Sequence, residues 1–414
     1  MAVPLNVLLL QQAANNRHGL TFLPQTAYPS KSDLPDIFHV GVPFSASNKW
    51  KSAAGGVGRS EQAATMAAIG EGVERYCAVI ADVPAKPKAQ LKGQRLLDAE
   101  QWTLFSPAQR SQPDFPYSNL YASSCPYTKV YSMANNNEYW VPHPLVVLRD
   151  DYATGIPTSS GLAAGQTVAM ATLRALQEII ERDALMITWQ HNLAGRCLAV
   201  PARYSQSVEQ LSGRIDTFDL TPAYSPFPVV AVMGGLPQRG KPRYSLGVAC
   251  RETVAQATEK AFLEWCQGVF FAGIYPKYND TTTLSKPADV RSFDDHAMYY
   301  TQNPQLWPKL PILQRQAAYS RPLRPGRQAK PEVALHKAVQ HLEKQGVRLF
   351  YRDLTTIDAL QAGVRVIRVL SPDLLPIHAH QAWPFLGGTA ADVQRRYPRA
   401  SATTFPNPFP HPLG

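Results

Sequence analysis

The sequence predicts an α+β fold in which long helices pack on mixed β-sheets. Three observations carry that reading. Although 36 prolines are spread over 414 residues, three stretches of helical length contain none: 61–80, 168–190 and 253–271. Runs of strand character lie between and after them. A hydrophobic content of 45% in a chain this long buries a core without disulfide staples.

Taken in order, residues 1–45 read as an irregular N-terminal segment, with prolines at 24, 29, 35 and 43. The body of the fold is expected over 46–404. Ala53-Ala-Gly-Gly-Val-Gly58 reads as a glycine-rich loop flanked by Lys51 and Arg59. Ser60 is placed to cap a helix, although Ala63 stands where a capping box would use Glu. Glu61 to Ile80, rich in alanine and apolar residues, is the first helix. Strand-like runs follow at 129–133 and 139–148. A turn over 158–165 feeds the second helix, 168–190, which is apolar on nearly every face and therefore belongs in the interior. Residues 228–233 and 244–250 read as a hairpin across Gly234–Pro242. Thr253 to Phe271 is the third helix. A basic, proline-interrupted loop over 301–331 is followed by a βαβ-like passage: helix 332–345, strand 346–352, a short helix at 357–362 and strand 364–370. Residues 405–414 form a proline-rich tail of polyproline II character.

Composition excludes several classes. No stretch approaches the ~18 consecutive apolar residues of a membrane span. The N-terminus lacks the basic region of a secretory signal. Five cysteines, an odd number with no CxxC, fit reduced cytoplasmic thiols better than a disulfide framework or a zinc knuckle. The excess of 41 basic over 31 acidic residues suits an anionic partner, but no RNA- or DNA-binding pattern accompanies it, so nucleic acid is not expected. There is no HExxH, GxSxG or Walker motif. His378 and His380 form an isolated HxH, usually incidental in a loop.

The chemistry lies on the helices. Glu71, Glu74 and Arg75 form an ExxER pattern, and Glu178, Glu181 and Arg182 repeat it at a constant offset of 107 residues. Positions i, i+3 and i+4 share one helical face. A single copy on a polar helix would be a surface ion pair. On helices that are otherwise apolar, two carboxylates beside one guanidinium leave negative charge uncompensated, which costs several kcal/mol per ion. A cation should sit there, and ligands that are all oxygen suit Mg²⁺, which retains waters and bridges phosphates. Glu264 and Gln267 on the third helix are a candidate third wall. Gly55, Gly56 and Gly58 with Lys51 and Arg59 could cradle phosphate, or form a plain turn.

Ser159-Ser-Gly-Leu-Ala-Ala-Gly-Gln-Thr167 followed by Leu176-Gln-Glu-Ile-Ile-Glu-Arg-Asp183 resembles the central signature of YcaO-domain proteins. The likeness extends to Glu71–Arg75, the helix 257–267, Asp353-Leu-Thr-Thr356 and Val366-Ile-Arg-Val-Leu-Ser-Pro372. It implies a YcaO-type fold with internally duplicated ExxER helices. In that family Glu71, Glu74, Glu178 and Glu181 would hold Mg²⁺ and ATP, Arg182 would contact phosphate, and Arg75 would support the cluster. Gln166, Glu264 and Gln267 would complete the ATP-binding set. Members often carry Asn where Gln166 stands, Ser at the positions of Ala67 and Ala163, and Arg shortly after the ExxQ motif, where this chain has Val269 and Phe270. Individual polar contacts are in doubt there, while every metal carboxylate is retained.

The resemblance further implies ATP-dependent attack on a backbone amide of a ribosomally made precursor peptide, giving thiazoline or oxazoline from Cys, Ser or Thr. Azoline-forming members share a PxPxP C-terminus, matched by Pro406, Pro408 and Pro410, whose stiffness would carry the Gly414 carboxylate into the site as a base. With no recognisable leader-binding module, an E1-like or ThiF-like partner carrying a peptide-recognition element is expected. An FMN-dependent azoline dehydrogenase is a further partner that no residue of this chain shows. Two rivals stand beside this reading: a thioamide-forming YcaO with a TfuA-type partner, and a degenerate scaffold that binds nucleotide or partner without turnover.

Overall fold

The structure is a computed structural model and describes residues 5–17, 19–27, 34–47, 50–156, 158–238, 240–278, 283–314, 328–400 and 404–414. Helix α1 (Leu5–Gln12) leads into strands β1 (Gln25–Ala27), β2 (Phe38–Ser47) and β3 (Trp50–Gly58), then helix α2 (Glu61–Ile80). Strand β4 (Ala85–Pro87), short helices α3 (Pro107–Arg110) and α4 (Ser118–Tyr121), and strands β5 (Pro126–Ser132), β6 (Glu138–Pro142) and β7 (Leu162–Gly165) precede helix α5 (Val168–Gln190). Strand β8 (Arg196–Leu198), helix α6 (Ala202–Glu209), strands β9 (Arg214–Asp219), β10 (Val229–Gln238) and β11 (Lys241–Cys250), and helix α7 (Val254–Tyr278) follow. The chain closes with α8 (Phe293–Gln302), α9 (Pro331–Lys344), β12 (Phe350–Asp353), α10 (Ile357–Gln361), β13 (Arg365–Leu370) and α11 (Val393–Arg396).

The α+β class holds. The strands form three sheets, ordered β1-β2-β3, β11-β10-β9-β8 and β4-β5-β12-β13-β7, with β6 beside β5. Every pair among the described strands is antiparallel, so the sheets are not mixed in direction. The βαβ expectation fails for the same reason. Only a short stretch with the five-residue α10 joins β12 to β13, which is too little chain for a parallel crossover, and the two strands pair antiparallel.

Helices α2 and α5 span the expected residues. Ser60 Oγ accepts the Ala63 N–H at 3.2 Å at the start of α2, and Thr167 Oγ1 accepts the Met170 N–H at 3.1 Å at the start of α5. Helix α2 packs on β2 and β3, and α7 packs on β10 and β11. Helix α5 lies between β7 and β13 on one side and β11 on another, which is why it is apolar all round.

Several expectations about loops and strand ends are corrected. The first 45 residues hold α1, β1 and most of β2, so a boundary at 45 cuts a strand. The glycine run is strand β3: Gly55 pairs with Gly41 and Gly56 with Val40. A Cβ at Gly56 would collide with the backbone of Ala64 and Ala68, so glycine lets α2 settle directly on the strand. The 158–165 turn ends in β7, paired with β13. The 139–148 run stops at Pro142 and becomes a short 3₁₀ turn over His143–Leu145. The 228–233 and 244–250 strands are longer than expected and pair in register from Val229–Cys250 to Gln238–Lys241. In the basic loop, 315–327 lies outside the described residues.

All five cysteines are free thiols. No helix among the described residues is long and apolar enough to cross a membrane.

Candidate functional site

Helices α2, α5 and α7 bring their motifs to one place. On α2, Arg75 Nη2 lies 3.3 Å from Glu71 Oε1 and its Nε lies 3.8 Å from Glu74 Oε1. On α5, Arg182 Nη2 lies 3.5 Å from both Glu178 Oε1 and Glu181 Oε1. Glu178 acts electrostatically on Glu74 and Arg75, so the two clusters face one another. Glu264 on α7 acts on Glu178, Glu181 and Arg182, and is paired with Lys260 at 3.1 Å.

Strand ends fix the carboxylates through backbone amides. β3 is an edge strand, and the Gly55 N–H donates to Glu71 Oε2 at 3.2 Å. The Cys250 N–H at the end of β11 donates to Glu181 Oε2 at 3.0 Å, and Glu74 is held by the backbone at Ala164. Gln267 lies over Gly55, where any Cβ would strike its Nε2. This is the third wall expected from ExxQ.

The electrostatics favour an added cation. Burial pushes Glu74 and Glu181 up to about 8. Neighbouring glutamates add to the shift and the arginines oppose it. Glu178 moves the same way for the same first cause. Without an added cation these carboxyls tend to hold protons, and a bound cation would take the protons' place. The donors are all oxygen, which fits a hard divalent ion such as Mg²⁺. Among the described residues they do not bring three ligand atoms within 4.8 Å of one another. Among the described residues, the group of three metal-ligating side chains with ligand atoms within 4.8 Å of one another is His296, His378 and His411. An ion that keeps waters and takes phosphate oxygens suits an open ring of carboxylates.

Other expected residues sit apart. Gln166 is exposed at the turn before α5. Arg59 does not reach toward a phosphate site: it pairs with Glu259 at 2.9 Å and lies over the rings of Tyr204 and Phe262. The Lys51 side chain lies outside the described residues. Ala67 is exposed, and Ala163 is buried in β7. Val269 is wholly buried in an apolar cluster with Trp265 and Phe262, so its lack of polarity leaves no gap in the carboxylate ring.

The tail is docked rather than loose. Trp189 Nε1 donates to the Phe409 carbonyl at 2.8 Å, Asn407 Nδ2 donates to the Trp189 carbonyl at 3.0 Å, and Tyr300 donates to the Pro410 carbonyl at 2.7 Å. Pro410 is buried, while Pro406 and Pro408 are exposed. His411 is buried, stacked on His296 and edge-on to His378, within electrostatic reach of Arg182. These three rings do not share an ion as placed. The planes of His296 and His411 are 2° apart with centroids 3.6 Å apart, so their in-plane lone pairs cannot converge. Gly414 is exposed and sits against Phe293 and Ala297 of α8.

Two residues were missed as site members. Arg368 on β13 is buried and acts on Glu178 and Glu74. Its Nη1 donates to the Thr158 carbonyl at 2.6 Å. Burial lowers it to about 10. A lone arginine within an apolar strand run was the available signal. Asp183, directly after ExxER, is fully buried with Arg396 at 2.8 Å. It also accepts from Tyr224 Oη at 2.6 Å and the Leu375 N–H at 2.8 Å. It ties α5 to α11 and to the chain after β13. Nothing local to Arg396 announced that partner.

A family model described as YcaO cyclodehydratase, ATP- and Mg²⁺-binding, matches residues 55–375. The chain belongs to the YcaO family. The match spans β3, α2, α5, α7 and β13, the elements that build the carboxylate ring. None of the curated proteins compared with the chain matches it. Among solved structures, it resembles a heterocyclase in complex with substrate and cofactor, at 19% identity and a TM-score of 0.75. That match covers 94% of this chain and 54% of the other, so the chain spans about half the length of that protein. YcaO from Methanopyrus kandleri, bound with AMPPCP and Mg²⁺, matches at 15% identity and a TM-score of 0.65, covering 97% and 93% of the two chains. A chain of the E. coli microcin synthetase McbBCD complex matches at 14% and 0.61, covering 87% and 90%. At these identities the likeness is one of fold.

Proposed function

We propose that this YcaO protein is an ATP-dependent cyclodehydratase that converts Cys, Ser or Thr of a precursor peptide into thiazoline or oxazoline. The observation that carries the reading is the meeting of two ExxER clusters and Glu264 at one place, where burial disfavours the charged carboxylates unless a cation joins them. Glu71, Glu74, Glu178 and Glu181 would hold Mg²⁺, and Mg²⁺ would screen the phosphate charge of ATP. Arg182 and Arg368 aim buried guanidinium groups at the same region, where negative charge develops on a transferring phosphoryl group. Gln267 and the edge of β3 close one side. A side-chain thiol or hydroxyl of the peptide attacks the preceding amide carbonyl, whose oxygen takes the γ-phosphoryl group and leaves as phosphate. The net change is loss of one water, with ATP converted to ADP and phosphate.

The docked tail supports azoline chemistry over the thioamide alternative. Pro406, Pro408 and Pro410 lead the chain past the end of α5, and the tail is proposed to complete the site from that side, where His411 comes within electrostatic reach of Arg182. Removing residues 405–414, in a variant first shown to remain folded, tests this. Retention of full cyclisation would sink it. The peptide substrate, an E1-like or ThiF-like partner, an FMN-dependent dehydrogenase in the same complex and a cytoplasmic setting belong to this proposal. The existence of YcaO-fold chains within the McbBCD synthetase supports a multi-subunit assembly.

The test is calorimetric titration of Mg-AMPPCP into wild type, Glu178→Ala and Glu181→Ala, each first shown to be folded. Binding by wild type and loss in both variants is expected. Absence of binding by wild type, alone and with a candidate partner, would leave only the scaffold reading. With peptide and ATP, the product should lose the mass of water; exchange of oxygen for sulfur would mark a thioamide former.

A further inference from the structure

Beside the carboxylate ring lies a cavity that nothing above assigns. Leu104, Ile156, Ile179, Leu374 and Phe385 form its apolar walls, and Arg182 and Arg368 belong to its lining. Arg182 lies 3.5 Å from Glu178 and Glu181, so the cavity borders the carboxylate cluster through that side chain. Arg368 is 3% exposed. Its Nη1 is committed to the Thr158 carbonyl, and its Nε has no hydrogen-bond partner. A buried donor without an acceptor is costly, which marks a position where an oxygen of a ligand belongs. The ligand therefore combines an acceptor oxygen with an adjoining apolar group.

We propose that this cavity receives the side chain of the peptide residue immediately before the cyclised Cys, Ser or Thr, with its carbonyl oxygen held by Arg368 Nε. This rests on the cyclodehydratase reading, in which the attacked carbonyl belongs to that preceding residue. The oxygen then sits on the carbonyl carbon and the side chain on the adjoining Cα, matching an arginine donor beside the apolar walls of one cavity. The walls are mostly aliphatic and aromatic, with the hydroxyl residues Thr103, Thr158, Ser160 and Ser371 among them, so a nucleotide base in the cavity is the rival occupant that the test must reject. The cavity selects an aliphatic or aromatic residue before the ring-forming position.

The test uses N-acetyl-Xaa-Cys-Gly-amide peptides with Xaa as Gly, Leu, Phe or Lys. Binding is measured by NMR titration with and without Mg-AMPPCP. The Leu and Phe peptides should bind about tenfold or more tightly than the Gly peptide, the scale of burying one such side chain. Ile156→Phe and Leu374→Phe each narrow the cavity. Whichever of them retains the wild-type melting temperature should lose the Leu-over-Gly preference and keep its Mg-AMPPCP affinity. Arg368→Met should weaken all four peptides alike and leave the side-chain preference intact. No preference in wild type overturns the proposal. So does loss of Mg-AMPPCP binding in a folded cavity-filling variant, which would put the base in the cavity. If wild type prefers Leu but never binds Mg-AMPPCP, the cavity takes an apolar peptide side chain, while the cyclodehydratase reading falls and with it the assignment to the residue before a cyclised one.

Discussion

The two ExxER helices carry the same three residues on the same face and do not live in the same surroundings. On α2 the Glu71 side chain is 35% exposed, and the residue after the arginine, Tyr76, reaches a half-buried carboxylate on α10, Asp358, at 2.7 Å. On α5 the Glu181 side chain is 5% exposed, and the residue after the arginine, Asp183, is fully buried against Arg396. Helix α2 packs mainly on the β2–β3 hairpin and less on β7 and β13, whereas α5 packs on β7, β13 and β11 and against α9. The α5 copy is therefore the more enclosed half of the site and the α2 copy the more open one. A spacing pattern specifies which residues share a face, and the packing around the helix decides what that face is worth.

The largest expected effect breaks this contrast at the position after the arginine. Asp183→Ala leaves Arg396 buried without its partner and should cost about 3–5 kcal/mol, read as a fall in the denaturant midpoint. A loss under 1 kcal/mol would mean that α5 is not anchored there.

A second prediction concerns the C-terminal end of α5, where the tail docks and α2 has no counterpart. Burial lowers His296 to about 4 and His378 to about 3, and lowers His411 in the same direction. In the unfolded chain these rings take up protons near pH 6.5, while the folded protein holds them neutral. Their contribution is complete above that pH and is lost as the pH falls toward the folded values. Stability should drop by about 2 kcal/mol per histidine between pH 7.5 and pH 5. Chemical denaturation across that range checks it, and His411→Gln should flatten the slope.

The third sharpens the contrast within the ring. Glu181→Gln removes a buried charge held by the Cys250 N–H and should weaken Mg-AMPPCP binding by about tenfold or more, a free-energy loss of ~1.4 kcal/mol or more. Glu71→Gln, on the exposed side, should weaken it less. Equal losses would make the two halves equivalent. The smallest effect is Tyr76→Phe, which removes one partly exposed hydrogen bond and should cost about 1 kcal/mol, visible as a small shift in melting temperature. If it matches Asp183→Ala, the comparison between the helices fails.

Much of the site was legible in the chain. The glutamates and arginines of α2 and α5, and Glu264 with Gln267, could be placed because their spacing is a property of one helix. The glycine run was misread, because Gly56 earns its place through contact with α2, a partner that composition does not reveal. The tail was expected to be extended, and the structure shows which groups hold it: Trp189, Tyr300 and the stacked rings of His296 and His411.

By itself the sequence determined the helices 61–80 and 168–190, the shared face of each ExxER, and the need for a cation beside uncompensated carboxylates. Each follows from helical period, local capping and Coulomb's law acting over a few residues. Tertiary structure alone decided the antiparallel sheets, the pairing of Asp183 with Arg396, the arrival of Arg368 at the ring and the course of the tail. Those partners lie far apart along the chain, so each depends on how whole sheets and helices pack, and no local pattern encodes that.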